Sequence, residues 1–466
     1  MTDLEFFFNP KSIAIIGASD TLRFGYTTTK YLLNSQFKTY PIHLTKSEIL
    51  GHKAYKNIKE IPDDIELAII LIGNENVPQA IKDCIDKGVK GVIIESAGFA
   101  ETGLEKNIAL QNEITKLIKD SNLRAIGPNC VGISNFHNEF TSSEVQFNRV
   151  FKGGISIIAQ SGVLGNVFID WGSSQKIGFS KAITLGNKID VDEVDMLEYL
   201  NNDPETKVIT LYLEGTKRGN EFKEILKKMN KPVLILKSGR TDIGSIAAKS
   251  HTSSIAGDDK IYDAVFKQHP GIFRVNNFYE LFNIAQIFIT QTLPKGKNVA
   301  IITGSGSLGI LACDELKNQG LTLANLEKST IQEIRNIIPD WVSIGGTIDL
   351  GPSQMYTLIP SLKAVFHDKN VDCVLFIFTV PRGPLEEFEP LAAGIKTSFR
   401  LIKNLSQNTN KPCVCVCFGS RWVFEYILDI ASKFNIPVVD RTKHALKAFK
   451  MMHEYNQYLK FGKKWN

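Results

Sequence analysis

Short apolar runs recur along the chain, each followed by a small-residue turn and then an amphipathic stretch. The first run covers residues 12–16, turns at Gly17-Ala-Ser-Asp20 and leads to a helix expected over 26–33. Further strands are expected at 39–42, 67–72, 91–94 and 123–126, with helices at 77–87 and 106–119 between them. Apolar runs of four to six residues with no polar face read as strands covered on both sides. Their alternation with helices predicts a parallel sheet. The rhythm restarts at residues 155–159, which lead into Gln160-Ser-Gly-Val-Leu-Gly165 and a helix carrying Phe168, Ile169 and Trp171. Strands at 208–213, 232–236 and 271–275 and a helix at 278–289 complete this second set. It restarts again at 298–302, before Thr303-Gly-Ser-Gly-Ser-Leu-Gly309, with strands at 371–379, 412–418 and 436–439. The expected fold is α/β: a Rossmann-like domain over 1–150, then two flavodoxin-like parallel-sheet domains over 151–293 and 294–466. A length of 466 residues, at roughly 150 per domain, agrees with three.

In open α/β sheets ligands bind beyond the carboxyl ends of the strands, so polar residues there are candidate site residues. Gly17 begins a turn before a helix, where unpaired N–H groups suit an anion. Ser96 and Gly98 follow one strand and Asn129 another, and they are expected to wall the same pocket; ordinary turn chemistry accounts for them equally well. Ser161 and Gly162 sit at a helix start, a phosphate seat or a plain cap. The acids of Asp190-Val-Asp-Glu-Val-Asp195 are expected at a helix start, with a cation site as the lesser reading.

One segment is too rich in Gly and Ser for ordinary core. Lys237 to Gly257 holds His251 among small residues, an exposed loop able to bring backbone N–H groups close to an anion. An imidazole there is a candidate nucleophile or base, and a surface His on a turn is the alternative. The strand at 208–213 ends in Glu214, and His251 follows the next strand. A carboxylate so placed can accept from the ring, fix its tautomer and raise its basicity.

Composition narrows the classes. The chain is 43% hydrophobic and 22% charged, enough for proper cores. A formal charge of +5 with scattered Lys and Arg argues against nucleic acid and leaves phosphate ligands open. No apolar stretch reaches the ~18 residues of a membrane span, and Met1 to Glu5 lacks a signal-peptide build, so a cytoplasmic protein is expected. Three of the seven cysteines alternate in Cys413-Val-Cys-Val-Cys417, a strand period rather than a metal-binding one. No metal ligand is assigned.

Together these stretches resemble the α subunit of NDP-forming acyl-CoA synthetases, the ADP-forming acetyl-CoA synthetases related to succinyl-CoA synthetase. The resemblance rests on Ile13 to Ser19, Glu48 to Gly51, Ser96 to Glu101, Gly127-Pro-Asn-Cys-Val-Gly132, Gln160 to Gly165, Leu185 to Lys188, Leu213-Glu-Gly215 and Lys249-Ser-His-Thr252. It implies a CoA-binding first domain, with Gly17, Ser19, Lys46, Ser96, Gly98 and Asn129 toward CoA. It implies His251 as the residue transiently phosphorylated, Glu214 as its supporting acid and Ser161–Gly162 as its phosphate seat. The reaction implied is that of an acid–thiol ligase: acyl-CoA, ADP and phosphate give a small carboxylic acid, CoA and ATP. With no ATP-binding region apparent in the chain, the family also implies an ATP-grasp β subunit, carrying ADP/ATP and Mg²⁺, in an α₂β₂ heterotetramer. The stretch Tyr40-Pro-Ile-His-Leu-Thr-Lys46 departs from the family's Tyr-Pro-Val-Asn-Pro-Lys. Two other readings are a CoA-sensing chain without catalysis and an NAD(P)-binding oxidoreductase. The latter expects an acid after the second strand, where His43 and Lys46 stand.

Overall fold

The computed structural model describes residues 4–244, 259–340, 342–344, 347–351 and 354–462. His251 lies outside the described residues. The chain divides into two compact units, Met1–Phe278 and Tyr279–Asn466.

The first unit holds two sheets. β1 (Ser12–Ile16), β2 (Lys38–Ile42), β3 (Leu67–Ile70), β4 (Gly91–Ile94) and β5 (Arg124–Ile126) are all parallel, in the order β2-β1-β3-β4-β5. Every residue of β1, β3 and β4 is buried, as strands without a polar face require. Alternate side chains serve opposite faces. Ala14, Ile16, Ala68 and Ile70 pack with Ile81 and Ile114 of helices Val77–Lys87 and Glu105–Lys119. Ile13, Ile15, Leu67 and Ile69 belong to a core that continues into the second sheet. Helix Val77–Lys87 starts with Pro78 in its first turn and stops at Gly88 in the left-handed region, the start and stop signals expected of it.

The second sheet comprises β6 (Ile133–Asn135), β7 (Phe140–Thr141), β8 (Phe151–Ala159), β9 (Gly178–Thr184), β10 (Val208–Leu213), β11 (Val233–Lys237) and β12 (Ile272–Arg274). Its order is β12-β11-β10-β8-β9-β6-β7. Strands β8 to β12 pair in parallel, and the hairpin β6–β7 is antiparallel to β9 at the edge. That hairpin precedes residue 150, yet it hydrogen-bonds into the second sheet. Its short antiparallel ladder pairs Ser134 with Thr141, whose hydroxyls also bond at 2.7 Å, and so few residues leave no apolar run to announce it.

The second unit carries β13 (Asn298–Thr303), β14 (Thr322–Leu323), β15 (Ile348–Asp349), β16 (Cys373–Phe378), β17 (Cys413–Cys417) and β18 (Val438–Val439). These strands run in parallel in the order β14-β13-β16-β17-β18, with β15 beside β13. Cys413, Cys415 and Cys417 are buried in the core of this sheet, and burial pushes their thiols up, Cys417 to about 12. They pack as small hydrophobes. All three sheets reverse direction at one place: between β1 and β3, between β8 and β10, and between β13 and β16.

The acids at 190–195 serve a helix start. Asp192 caps helix Glu193–Asn202, accepting from the N–H of Val194 at 2.8 Å, while Asp195 Oδ2 accepts from the N–H of Asp192 at 3.1 Å. Arg218 Nη1 pairs with both carboxylates at 3.1 and 2.9 Å. Asp192→Ala is therefore expected to lower the free energy of unfolding by about 1–2 kcal/mol, and Asp192→Asn, which still caps, by less. Urea midpoints check this; equal midpoints for wild type and D192A would refute the capping role.

Candidate functional site

A cavity of about 940 Å³ opens at the carboxyl ends of β1 and β3, the reversal point of the first sheet. Ile16, Ile42, Leu71 and Ile72 give it apolar walls, and Arg23, His43 and Lys56 bring cationic or hydrogen-bonding groups to it. Gly17 makes the close turn possible. Its φ is 91°, and a Cβ there would stand 2.6 Å from Leu71 O. A long ligand with apolar middle and anionic groups fits this lining, which is the chemistry of CoA.

Of the six residues expected to face the ligand, Gly17, Ser96 and Asn129 line the cavity. Ser96 Oγ donates to Ile72 O at 2.6 Å, and the Asn129 N–H donates to Ser96 O at 2.9 Å, which ties two strand ends together. The other three are not among the lining residues. Ser19 is buried and accepts from Arg23 Nε at 2.9 Å, so it holds a lining residue in place. Lys46 Nζ is paired with Asp20 at 2.6 and 2.7 Å. Gly98 donates its N–H to Glu101 Oε1 at 2.6 Å, and its carbonyl accepts from the Asn74 amide.

Arg23, Lys56 and Glu95 also line the cavity, beyond the residues expected from the sequence. Arg23 carried a signal, since it lies in the loop between Gly17 and the helix. Glu95 follows β4 and is buried. Burial pushes its carboxyl well above the ordinary carboxylate range against a bond from Ser142, and Glu144 adds to the rise.

The second group of candidates meets at the reversal point of the second sheet. Helix Gly162–Ser174 starts directly beyond β8. Ser161 takes the cap position in an extended conformation, yet its hydroxyl makes no capping bond. The first-turn N–H groups have no partner within the helix, which makes this end receptive to an anion. A Cβ on Gly162 would meet Val131 Cγ2 at 2.7 Å, and Val131 lines the cavity. The helix start therefore abuts the cavity wall.

Beyond β10 the turn at Glu214 is tied from several sides. Gln160 Oε1 accepts the N–H of Glu214 at 2.9 Å and of Gly215 at 3.2 Å. Lys188 Nζ donates to Gly215 O at 2.7 Å and to Glu193 Oε2 at 2.8 Å, and Tyr262 Oη accepts the Thr216 N–H at 3.1 Å. Tyr212 Oη donates to Glu214 Oε1 at 3.3 Å. Lys237 ends β11, buried against the Tyr262 ring at 4.9 Å, and the Ser238 N–H donates to Leu213 O at 3.0 Å. The chain thus departs toward residue 251 from a strand end beside Glu214.

Comparison with known proteins agrees with this layout. Residues 11–135 match a CoA binding domain, and residues 152–288 match a succinyl-CoA ligase like flavodoxin domain. Those matches define a CoA-binding chain of the succinyl-CoA ligase type. It is 39% identical over 454 residues, 96% of both chains, to the α subunit of acetate–CoA ligase (ADP-forming) II of Pyrococcus furiosus. The chain belongs to the family of ADP-forming acyl-CoA ligase α subunits, acid–thiol ligase chains of the succinyl-CoA synthetase superfamily. It spans 49% of the length of an acetate–CoA ligase (ADP-forming) of Methanocaldococcus jannaschii, with 44% identity over 353 residues, 75% of this chain. Among solved structures, acetyl-coenzyme A synthetase 1 of Ca. Korarchaeum cryptofilum in complex with phosphate and ADP superposes with a TM-score of 0.88 at 28% identity. That match covers 98% of this chain and 97% of the other.

Glu95 gives a pH test. A carboxyl whose folded pKa is raised contributes fully below its unfolded pKa and loses that contribution as pH rises through the folded value. The stability of Glu95→Gln relative to wild type is therefore expected to improve between pH 5 and pH 8, read from urea unfolding at both. A difference that stays constant would show that Glu95 is not held in its acid form.

Proposed function

We propose that the chain works with an ATP-grasp β subunit to interconvert acyl-CoA, ADP and phosphate with a small carboxylic acid, CoA and ATP, His251 carrying the phosphoryl group. One observation supports this reading above the others. The anion-receptive helix start at Ser161–Gly162 adjoins both the wall of the CoA cavity and the Glu214 turn. Phosphate attacks the thioester carbonyl, forming acyl phosphate and releasing the CoA thiol. An imidazole nitrogen of His251 then takes the phosphoryl group, and the carboxylate leaves as the free acid. Glu214 orients the ring, and the helix N–H groups offset charge on the phosphoryl oxygens. Transfer to ADP takes place on the β subunit, with Mg²⁺ on its nucleotide, in an α₂β₂ assembly.

The division of labour follows the sheets: CoA on residues 1–150, phosphoryl transfer on 151–293, and 294–466 completing the chain. Ser19 and Lys46 act on CoA through the loop they brace, and Gly98 through its turn. No described helix is long and apolar enough to cross a membrane, and all seven cysteines are free. We place the enzyme in the cytoplasm, where thiols stay reduced.

Incubation with the β subunit, Mg²⁺ and ATP should add one acid-labile, base-stable phosphate to the intact mass, absent in His251→Ala. Glu214→Gln should slow the labelling about tenfold or more. A chain that binds CoA yet never labels beside an active β subunit would instead be a CoA sensor. For the cavity, Arg23→Ala and Lys56→Ala should each weaken CoA binding about tenfold by calorimetry, more at low salt. Unchanged affinity in both would move CoA off this lining.

A further inference from the structure

The Gln160 side chain is 6% exposed and stands between the two halves of the phosphate site. Its orientation is defined by its partners. Two backbone N–H groups, from Glu214 and Gly215, converge on Oε1, and an amide turned end for end would set its NH₂ against two donors. The NH₂ group therefore occupies the limb of the planar amide directed away from that turn. Among the described residues Nε2 has no acceptor. The residue is nearly buried, yet its NH₂ group keeps contact with solvent, so both of its donors stay open to a ligand. The next residue, Ser161, has a hydroxyl that makes no capping bond, and the helix N–H groups follow. Consecutive residues thus hold donors in reserve at one crevice.

We propose that Gln160 Nε2 donates a hydrogen bond to an oxygen of the phosphoryl group seated at Ser161–Gly162, as a third phosphate contact. The ligand is a tetrahedral phosphoryl group, as inorganic phosphate or on the imidazole. The contact rests on the function proposed above and deepens it. Because Oε1 holds the Glu214 and Gly215 N–H groups, one side chain sets the spacing between the phosphate and the acid that orients the histidine.

Gln160→Glu separates this role from a structural one, since it keeps an oxygen for both backbone N–H groups and replaces the donor with an acceptor. Gln160→Met is neutral and removes both. With the β subunit, Mg²⁺, ADP and acetyl-CoA, each variant is expected to raise the KM for inorganic phosphate by about tenfold or more. The KM for acetyl-CoA should stay within about twofold, which also reports that the chain is folded. A wild-type KM for phosphate in either variant overturns the contact. If the wild-type chain labels on His251 while Q160E binds phosphate normally, the proposed function stands and only this contact falls. A wild-type chain that never labels removes both.

Discussion

A backbone N–H buried at the end of a parallel strand must find an acceptor, and at the reversal point of a doubly wound sheet the connections leaving neighbouring strands run to opposite faces. The Glu214 turn faces this problem and solves it with side chains. Gln160 takes two N–H groups, Tyr262 takes the next, and Lys188 satisfies the Gly215 carbonyl. Lys188 in turn is buried with the fully buried Glu193, so the turn rests on an ion pair that neither partner can leave cheaply. Removing one member of such a pair costs about 3–5 kcal/mol because the other charge stays behind in low dielectric. The position of the Glu214 turn is thus set by two loop residues, Gln160 and Lys188, and by two helix residues, Tyr262 and Glu193.

All three sheets share one kind of reversal point, yet its carboxyl edge is used differently each time. In the first sheet the reversal opens a cavity, and its floor is stitched by Ser96 and Asn129 across strand ends. In the second the edge keeps donors unspent along Gln160, Ser161 and Gly162. In the third, Thr303 Oγ1 both accepts the Ser305 N–H and donates to Ser305 O, at 3.0 Å each, so the turn closes on itself. A glycine-rich strand-to-helix turn is therefore not an anion site by composition. What decides is whether the neighbouring side chains consume its donors.

This difference also explains what was legible in the sequence. The strands Ser12–Ile16, Gly91–Ile94 and Val208–Leu213 were readable to the residue, because each is an apolar run bounded by polar or turn-forming positions. The expected α/β architecture of parallel sheets follows from those runs alone. The hairpin β6–β7 was not readable, since its strands are only three and two residues long and hold polar residues among their paired positions, so they carry no apolar run. At the site, residues defined by backbone chemistry, Gly17 and Gly162, were readable from their place before a helix. Lys46 illustrates the limit: its charge suggested a phosphate, while its ammonium is committed to Asp20, a pairing across 26 positions. The role of Gln160 is not legible locally, because its partners lie 54 and 55 residues on.

The loop after β2 separates CoA from a dinucleotide on physical grounds. A nicotinamide dinucleotide site places an acid there to bind ribose hydroxyls, and such an acid would repel a phosphate on the same ring. This chain places His43 at the cavity edge. Its Nδ1 accepts the N–H groups of Thr45 and Lys46 at 3.3 and 3.2 Å, so that nitrogen is occupied as an acceptor. The ring's remaining nitrogen, Nε2, then carries the proton and acts as a donor. This donor, Arg23 and Lys56 give the cavity places for anionic groups, beside the ionised Asp83, which Lys59 pairs, and the acid form of Glu95. The loop thus brings a hydrogen-bond donor to the cavity, and the bonds to Nδ1 fix the ring that carries it.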